Sequence, residues 1–258
     1  MTNREGTPIW YELMTVNPET AQKLYGSVMG WRFEAMPGGL KRDYRIASSN
    51  GEPVAGVMRT PDHAKGMPDM WFTYVGVNDV DASSRKVKAL GGAVDIEPTD
   101  IPGVGRFAFC RDPQGATFYI MRGNSAEDSK AFAPRTAGHC SWNELVTSDQ
   151  KAALDFYGKL FGWERGGAMP MGDMGDYTFI NHDGGMIGAM MNSPEKAARP
   201  YWNFAMQVAD IDTAKAAVEN GGGTVRSGPM ELPDNSGWLI QTDDPLGAKI
   251  MFTGPRKA

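Results

Sequence analysis

The chain has 258 residues, 41% hydrophobic and 22% charged, enough for one large globular domain or two moderate ones. A formal net charge of −5, with no run of basic residues longer than two, as at Arg256-Lys257, argues against a nucleic-acid partner, which needs clustered Lys and Arg. There is no N-terminal apolar core of signal-peptide length and no apolar run of the roughly eighteen residues that a membrane helix requires, so a cytoplasmic protein without a membrane partner is expected.

The first predicted element is a strand, IWYELMT. Asn17 follows as an N-cap with Pro18 at the first helical position, and Ala21, Leu24, Tyr25, Val28 and Met29 form the apolar stripe of a helix that Gly30 stops. Three short strands come next, the middle hairpin turning at Asn50-Gly51. DMWFTYVGV reads as a strand, Asp79 opens a second helix ending at Gly91-Gly92, and the last hairpin turns through Asp112-Pro113-Gln114-Gly115, an order suited to a type I turn. Residues 124–137, small and polar, read as a linker.

Then the same order begins again. SWNELVT is a strand, Asp149 an N-cap, and Ala153, Phe156, Tyr157, Leu160 and Phe161 an apolar stripe ending at Gly162. A turn at Asp183-Gly184, the strand YWNFAMQV, a helix from Asp210 to Gly221-Gly222-Gly223 and the turn Asp244-Pro245-Leu246-Gly247 complete the copy. The offset is 132 residues, slipping to 131 at Asp79-Val80-Asp81 against Asp210-Ile211-Asp212, as a one-residue change in a surface loop would produce. Two domains, 1–123 and 138–258, are expected, each with two β-α-β-β-β modules. The 32 glycines suit short strands and tight turns. Cys110 and Cys140 lack metal or redox spacing and read as reduced thiols.

Trp-x-Glu-Leu, Phe-Tyr-x-x-Leu-Phe-Gly-Trp, Val-x-Asp-Ile/Val-Asp and Asp-Pro-x-Gly together resemble the vicinal oxygen chelate superfamily, which includes glyoxalase I, bleomycin-resistance proteins and extradiol dioxygenases. The resemblance covers nearly the whole chain, twice, and looks closest to bacterial tandem two-domain glyoxalase-like proteins. It implies an α+β fold in which each domain pairs two β-α-β-β-β modules into a curved mixed sheet around a cup. It also implies metal ligands on the first and last strands of the modules. Carried over, those positions fall on Trp10 and Trp142, on Phe72 and Asn203, and on Tyr119 and Met251. Indole, phenyl and thioether groups do not suit a hard divalent ion, so no metal site and no cofactor are expected.

Strand alternation puts Glu12 on the face of Trp10 and Glu144 on that of Trp142. Either glutamate is a candidate general base or hydrogen-bond acceptor, or alternatively a structural acceptor from backbone amides or an Arg. In the first cup Trp10, Glu12, Phe72, Tyr74, Thr117 and Tyr119 make a mostly aromatic lining; in the second, Trp142, Glu144, Asn203, Lys249 and Met251 are more polar. The expected function is binding of a small organic molecule without metal, by sequestration or acid-base chemistry. The alternative is a metal-dependent lyase, isomerase or dioxygenase with a relocated site, and a ligand-free interaction scaffold is a third reading. Duplication within one chain suits a monomer or weak homodimer.

Overall fold

The computed structural model describes residues 3–36, 43–195, 198–233 and 235–257. The first repeat runs β1 (Pro8–Thr15), α1 (Pro18–Met29), β2 (Arg32–Ala35), β3 (Tyr44–Ser49), β4 (Glu52–Arg59), β5 (Met70–Gly76), α2 (Val80–Ala89), β6 (Ala93–Ile101), β7 (Gly105–Arg111) and β8 (Thr117–Gly123). The second runs β9 (Cys140–Thr147), α3 (Gln150–Phe161), β10 (Glu164–Pro170), β11 (Asp176–His182), β12 (Gly185–Asn192), β13 (Tyr201–Gln207), α4 (Ile211–Asn220), β14 (Thr224–Glu231), β15 (Trp238–Asp243) and β16 (Lys249–Gly254).

Local signals explain these boundaries. Asn17, Asp79, Asp149 and Asp210 cap the four helices, each side chain accepting from a backbone amide two or three residues on. Gly30 and Gly162 close α1 and α3 in the left-handed conformation. Asn50-Gly51 and Asp183-Gly184 have positive φ at both residues, the twist a two-residue hairpin needs.

Each repeat forms one eight-stranded mixed sheet, in the orders β2-β3-β4-β1-β5-β8-β7-β6 and β10-β11-β12-β9-β13-β16-β15-β14. β1 with β4 and β5 with β8 are parallel, as are β9 with β12 and β13 with β16, because a helix crosses over within every module. The architecture is α+β, two tandem repeats with open sheets.

Packing sorts the chain into two compact units, each holding one module from either repeat. One consists of Met1–Ile9, Thr73–Ser129 and Trp142–Asn203; the other consists of Trp10–Phe72, Lys130–Ser141 and Phe204–Ala258. In the first unit Tyr157 is fully buried among Phe118, Phe161, Trp163 and Trp202. Its hydroxyl donates to Asp112 Oδ2 (3.1 Å) and accepts from Trp202 Nε1 (3.3 Å), while Trp163 Nε1 donates to the Gly6 carbonyl (2.8 Å). The second unit repeats this arrangement with other residues. Tyr25 donates to Asp244 Oδ2 (3.2 Å) and accepts from Trp71 (3.0 Å), and Trp31 donates to the Gly138 carbonyl (2.7 Å). The Tyr-Gly, Gly-Trp and Asp-Pro-x-Gly motifs are therefore one structural device used twice.

His182 gives the first unit a pH-dependent element. Its Nε2 is buried without a partner, and burial first, then the Arg4 charge, hold the imidazole below its ordinary 6.5. The unfolded chain then takes up a proton before the folded one, so stability present above about pH 7 should decline as the pH falls toward 5. In urea titrations across that range, His182→Gln should show a shallower decline than the parent protein.

Candidate functional site

The best-formed polar constellation lies on β9 and β11, within the first unit. Glu144 is in register with Ala189 of β12, and Ala189 with Phe179 of β11, so Glu144, Ala189, Phe179 and Tyr177 share a face. The opposite face carries Leu145, Met190 and Thr178, which are fully buried. The Glu144 face is less covered: Trp142, Tyr177 and Phe179 are only half-buried, while Glu144 itself is 9% exposed.

These side chains form a directed chain of hydrogen bonds. Trp142 Nε1 donates to the Tyr177 hydroxyl at 2.8 Å, and that hydroxyl donates to Glu144 Oε2 at 2.8 Å. Burial raises the Tyr177 phenol well above 10, and the Glu144 charge beside it adds to the shift, so the phenol keeps its proton and remains a donor to the carboxylate. Phe179 stands edge-on to both rings, its centroid 6.1 Å from Trp142 and 5.9 Å from Tyr177. Removing the hydroxyl in Tyr177→Phe takes a partner from a carboxylate and from an indole, and should destabilise the protein by about 1–3 kcal/mol in urea titrations.

Asn203 of β13 belongs to the same face. β13 neighbours β9 in the sheet, and Trp202 points to the helix side, where it meets Tyr157 of α3. The next residue points the opposite way. Asn203 is 3% exposed and its Oδ1 has no hydrogen-bond partner.

The equivalent residues of the first repeat are arranged differently. Trp10 Nε1 donates to the Tyr44 hydroxyl at 3.0 Å, Glu12 is buried on the same strand, and Phe72 is buried on β5. In the first unit Tyr74 and Tyr119, in register on β5 and β8, stack with centroids 4.2 Å apart and planes 5° from parallel. Phe109 packs on Tyr119 at 4.6 Å and Thr117 lies on the same face of β8. The predicted aromatic lining is thus brought together in part, with two of its rings stacked on each other. At the matching positions of the second repeat, Ala205 is in register with Met251, which is buried, and Lys249 is exposed at the start of β16.

Sequence reasoning missed Tyr44 and Tyr177. A signal was present, since Asp43-Tyr44 and Asp176-Tyr177 stand at matching places in the two repeats. It went unused because a tyrosine two strands from Glu144 reaches it only through sheet register.

The donor set does not suit a metal ion of the kind the superfamily uses. Indole nitrogens at Trp10 and Trp142 donate to tyrosines, and no group of three or more His, Cys, Asp or Glu able to hold an ion occurs among the described residues. Nor is any helix among them long and apolar enough to cross a membrane.

The fold and the doubled motifs define a class, and comparison with known families gives the same answer. Residues 8–120 and 136–252 both match the Glyoxalase/Bleomycin resistance protein/Dioxygenase superfamily, to which the chain belongs. Among named relatives, the chain is 33% identical over 257 residues to "Putative glyoxylase CFP32" of Mycobacterium tuberculosis, covering 98% of this chain and 96% of that protein. It is 31% identical over 266 residues to the anthracycline biosynthesis protein DauV of Streptomyces sp. strain C5, covering 98% and 94%. Among solved structures, the fold is similar to the Mn(II)-bound glyoxalase from Novosphingobium aromaticivorans, with a TM-score of 0.69 at 17% identity over 99% of this chain and 84% of that one.

Proposed function

We propose that the chain binds a small organic molecule on the Glu144 face of the second repeat, and that Glu144 accepts a hydrogen bond or a proton from it without a metal ion. The observation that carries this reading is the Trp142-Tyr177-Glu144 chain. A carboxylate buried to this degree is costly unless hydrogen-bonded, and the sequence supplies a neutral donor for it from another strand. Half-buried Trp142 and Phe179 beside it offer the apolar surface on which an organic ligand would rest. One relative, DauV, is named for anthracycline biosynthesis, which agrees with an organic rather than a macromolecular ligand. A monomer or weak homodimer suffices for such a role.

The test is a thermal-shift screen of small aromatic and thiol-conjugated compounds with the tag-free protein, run beside elemental analysis. Ligands should raise the melting temperature of the parent protein, since binding to the native state stabilises by about 2.7 kcal/mol at a hundredfold excess over Kd. Glu144→Gln, which keeps shape and loses the acceptor charge, should reduce the shift. One tightly held divalent ion per chain would overturn the metal-free part. Equal shifts in both proteins would overturn the role of Glu144.

A further inference from the structure

We infer that Asn203 is a specificity-determining residue: its side-chain oxygen receives a hydrogen bond from the ligand, so the site selects molecules presenting an O–H or N–H beside an apolar ring. This rests on the reading that the Glu144 face binds a small organic molecule, and adds to it the ligand's polarity.

Buried polar atoms in folded proteins are nearly always paired, because an unpaired one forfeits its bonds to water. Asn203 Oδ1 departs from that rule on a strand neighbouring the one that carries Glu144, and on the same face. The equivalent position of the first repeat is Phe72, equally buried, so the fold accommodates a fully apolar side chain there. An amide at 203 therefore meets no need of the fold itself. Its oxygen is an acceptor, and so is the Glu144 carboxylate. The Tyr177 phenol already donates its hydrogen bond to Glu144. The complementary molecule brings donors of its own, and its ring packs against Trp142 and Phe179. A ligand offering only ether or carbonyl oxygens would leave Asn203 Oδ1 unpaired, and sites built to pair a hydroxyl reject analogues lacking one far more strongly than apolar pockets reject a missing methylene.

Two probes with one ring system test this: 2-naphthol, which carries a hydroxyl donor, and 2-methoxynaphthalene, which does not. Fluorescence titration of the full chain should show 2-naphthol binding about tenfold or more tightly. In Asn203→Leu that ratio should fall severalfold, to the preference that the Glu144 acceptor alone supports, chiefly through weaker 2-naphthol binding, while the variant's melting temperature equals or exceeds that of the parent protein. Asn203→Ala, which cannot overpack, should lose the same selectivity and stands in if the leucine variant does not fold. A preference for 2-naphthol that both substitutions leave unchanged would overturn the role of Asn203 while leaving Glu144-face binding intact, and equal binding of the two probes to the parent protein would overturn the acceptor roles of Asn203 and Glu144 alike. If neither probe binds the parent protein, both the proposed function and this inference fail.

Discussion

Replacing Asp112 by alanine should lower the unfolding free energy by about 3–5 kcal/mol, the sum expected when several buried donors lose one acceptor. Asp112 is 3% exposed, and its Oδ1 accepts from the amides of Gln114 and Ala116, both at 2.9 Å, closing the Asp-Pro-x-Gly turn. Its Oδ2 takes the Tyr157 hydroxyl. Alanine leaves the buried Ala116 amide and Tyr157 hydroxyl, and the half-buried Gln114 amide, without it. Asp112→Asn would keep one oxygen for the turn, so that change should cost only about 1 kcal/mol. Burial holds the Asp112 carboxyl above its usual 3.8 despite these bonds. The folded state then binds this proton more tightly than the unfolded chain, and this residue alone should favour folding as the pH falls through its folded pKa. Urea titrations at neutral pH and at pH 5 check both statements, and Asp244→Ala should behave as Asp112→Ala does, since Asp244 accepts from Leu246, Ala248 and Tyr25 in the same pattern.

Gly188→Ala should be comparably damaging, costing about 3 kcal/mol or more, because the new methyl meets backbone. Gly188 of β12 is in register with Asn143 of β9, and a Cβ there would overlap the Asn143 carbonyl oxygen and lie 2.8 Å from its carbonyl carbon. Neither atom can rotate away, so β12 must part from β9 next to Glu144. A lower urea midpoint, together with altered near-ultraviolet dichroism, is the expected signature. Gly56→Ala on the corresponding strand of the first repeat should be milder, since Gly56 pairs with Glu12 and so sits one register step from the place that matches Gly188. Its obstacle is the tip of the Tyr44 ring, which can swing aside at the expense of its bond to Trp10. Equal losses in the two variants would show that strand pairing is not what Gly188 protects.

Much of the fold was legible because its signals are local. Asn17, Asp79, Asp149 and Asp210 cap the helices a few residues ahead of them, Gly30 and Gly162 end them, and Asn50-Gly51 turns a hairpin without help from distant chain. The doubled motif order extended those local readings to a complete architecture. The site was legible only as a set of strand positions. That Glu144 meets Tyr177 depends on how three strands register, and that Tyr74 stacks on Tyr119 depends on two rings finding each other across a parallel pair. The partner of Tyr157 was hidden for a further reason: Asp112 lies in the other repeat, so neither half of the sequence contains the bond.

That last feature bears on how such a chain changes over generations. Tyr25 belongs to the first copy and its carboxylate partner Asp244 to the second; Tyr157 and Asp112 reverse the assignment. A truncation that keeps one copy strands a buried phenol and loses a buried indole's setting as well, so the copies must be inherited together. The bonded tyrosines, tryptophans and aspartates occur in both copies, whereas Phe72 in one stands opposite Asn203 in the other, on strand faces that do not carry those bonds. Mutual dependence on one side of the sheet leaves the other side open to divergence, which is how a duplicated gene could acquire a new specificity without first becoming two proteins.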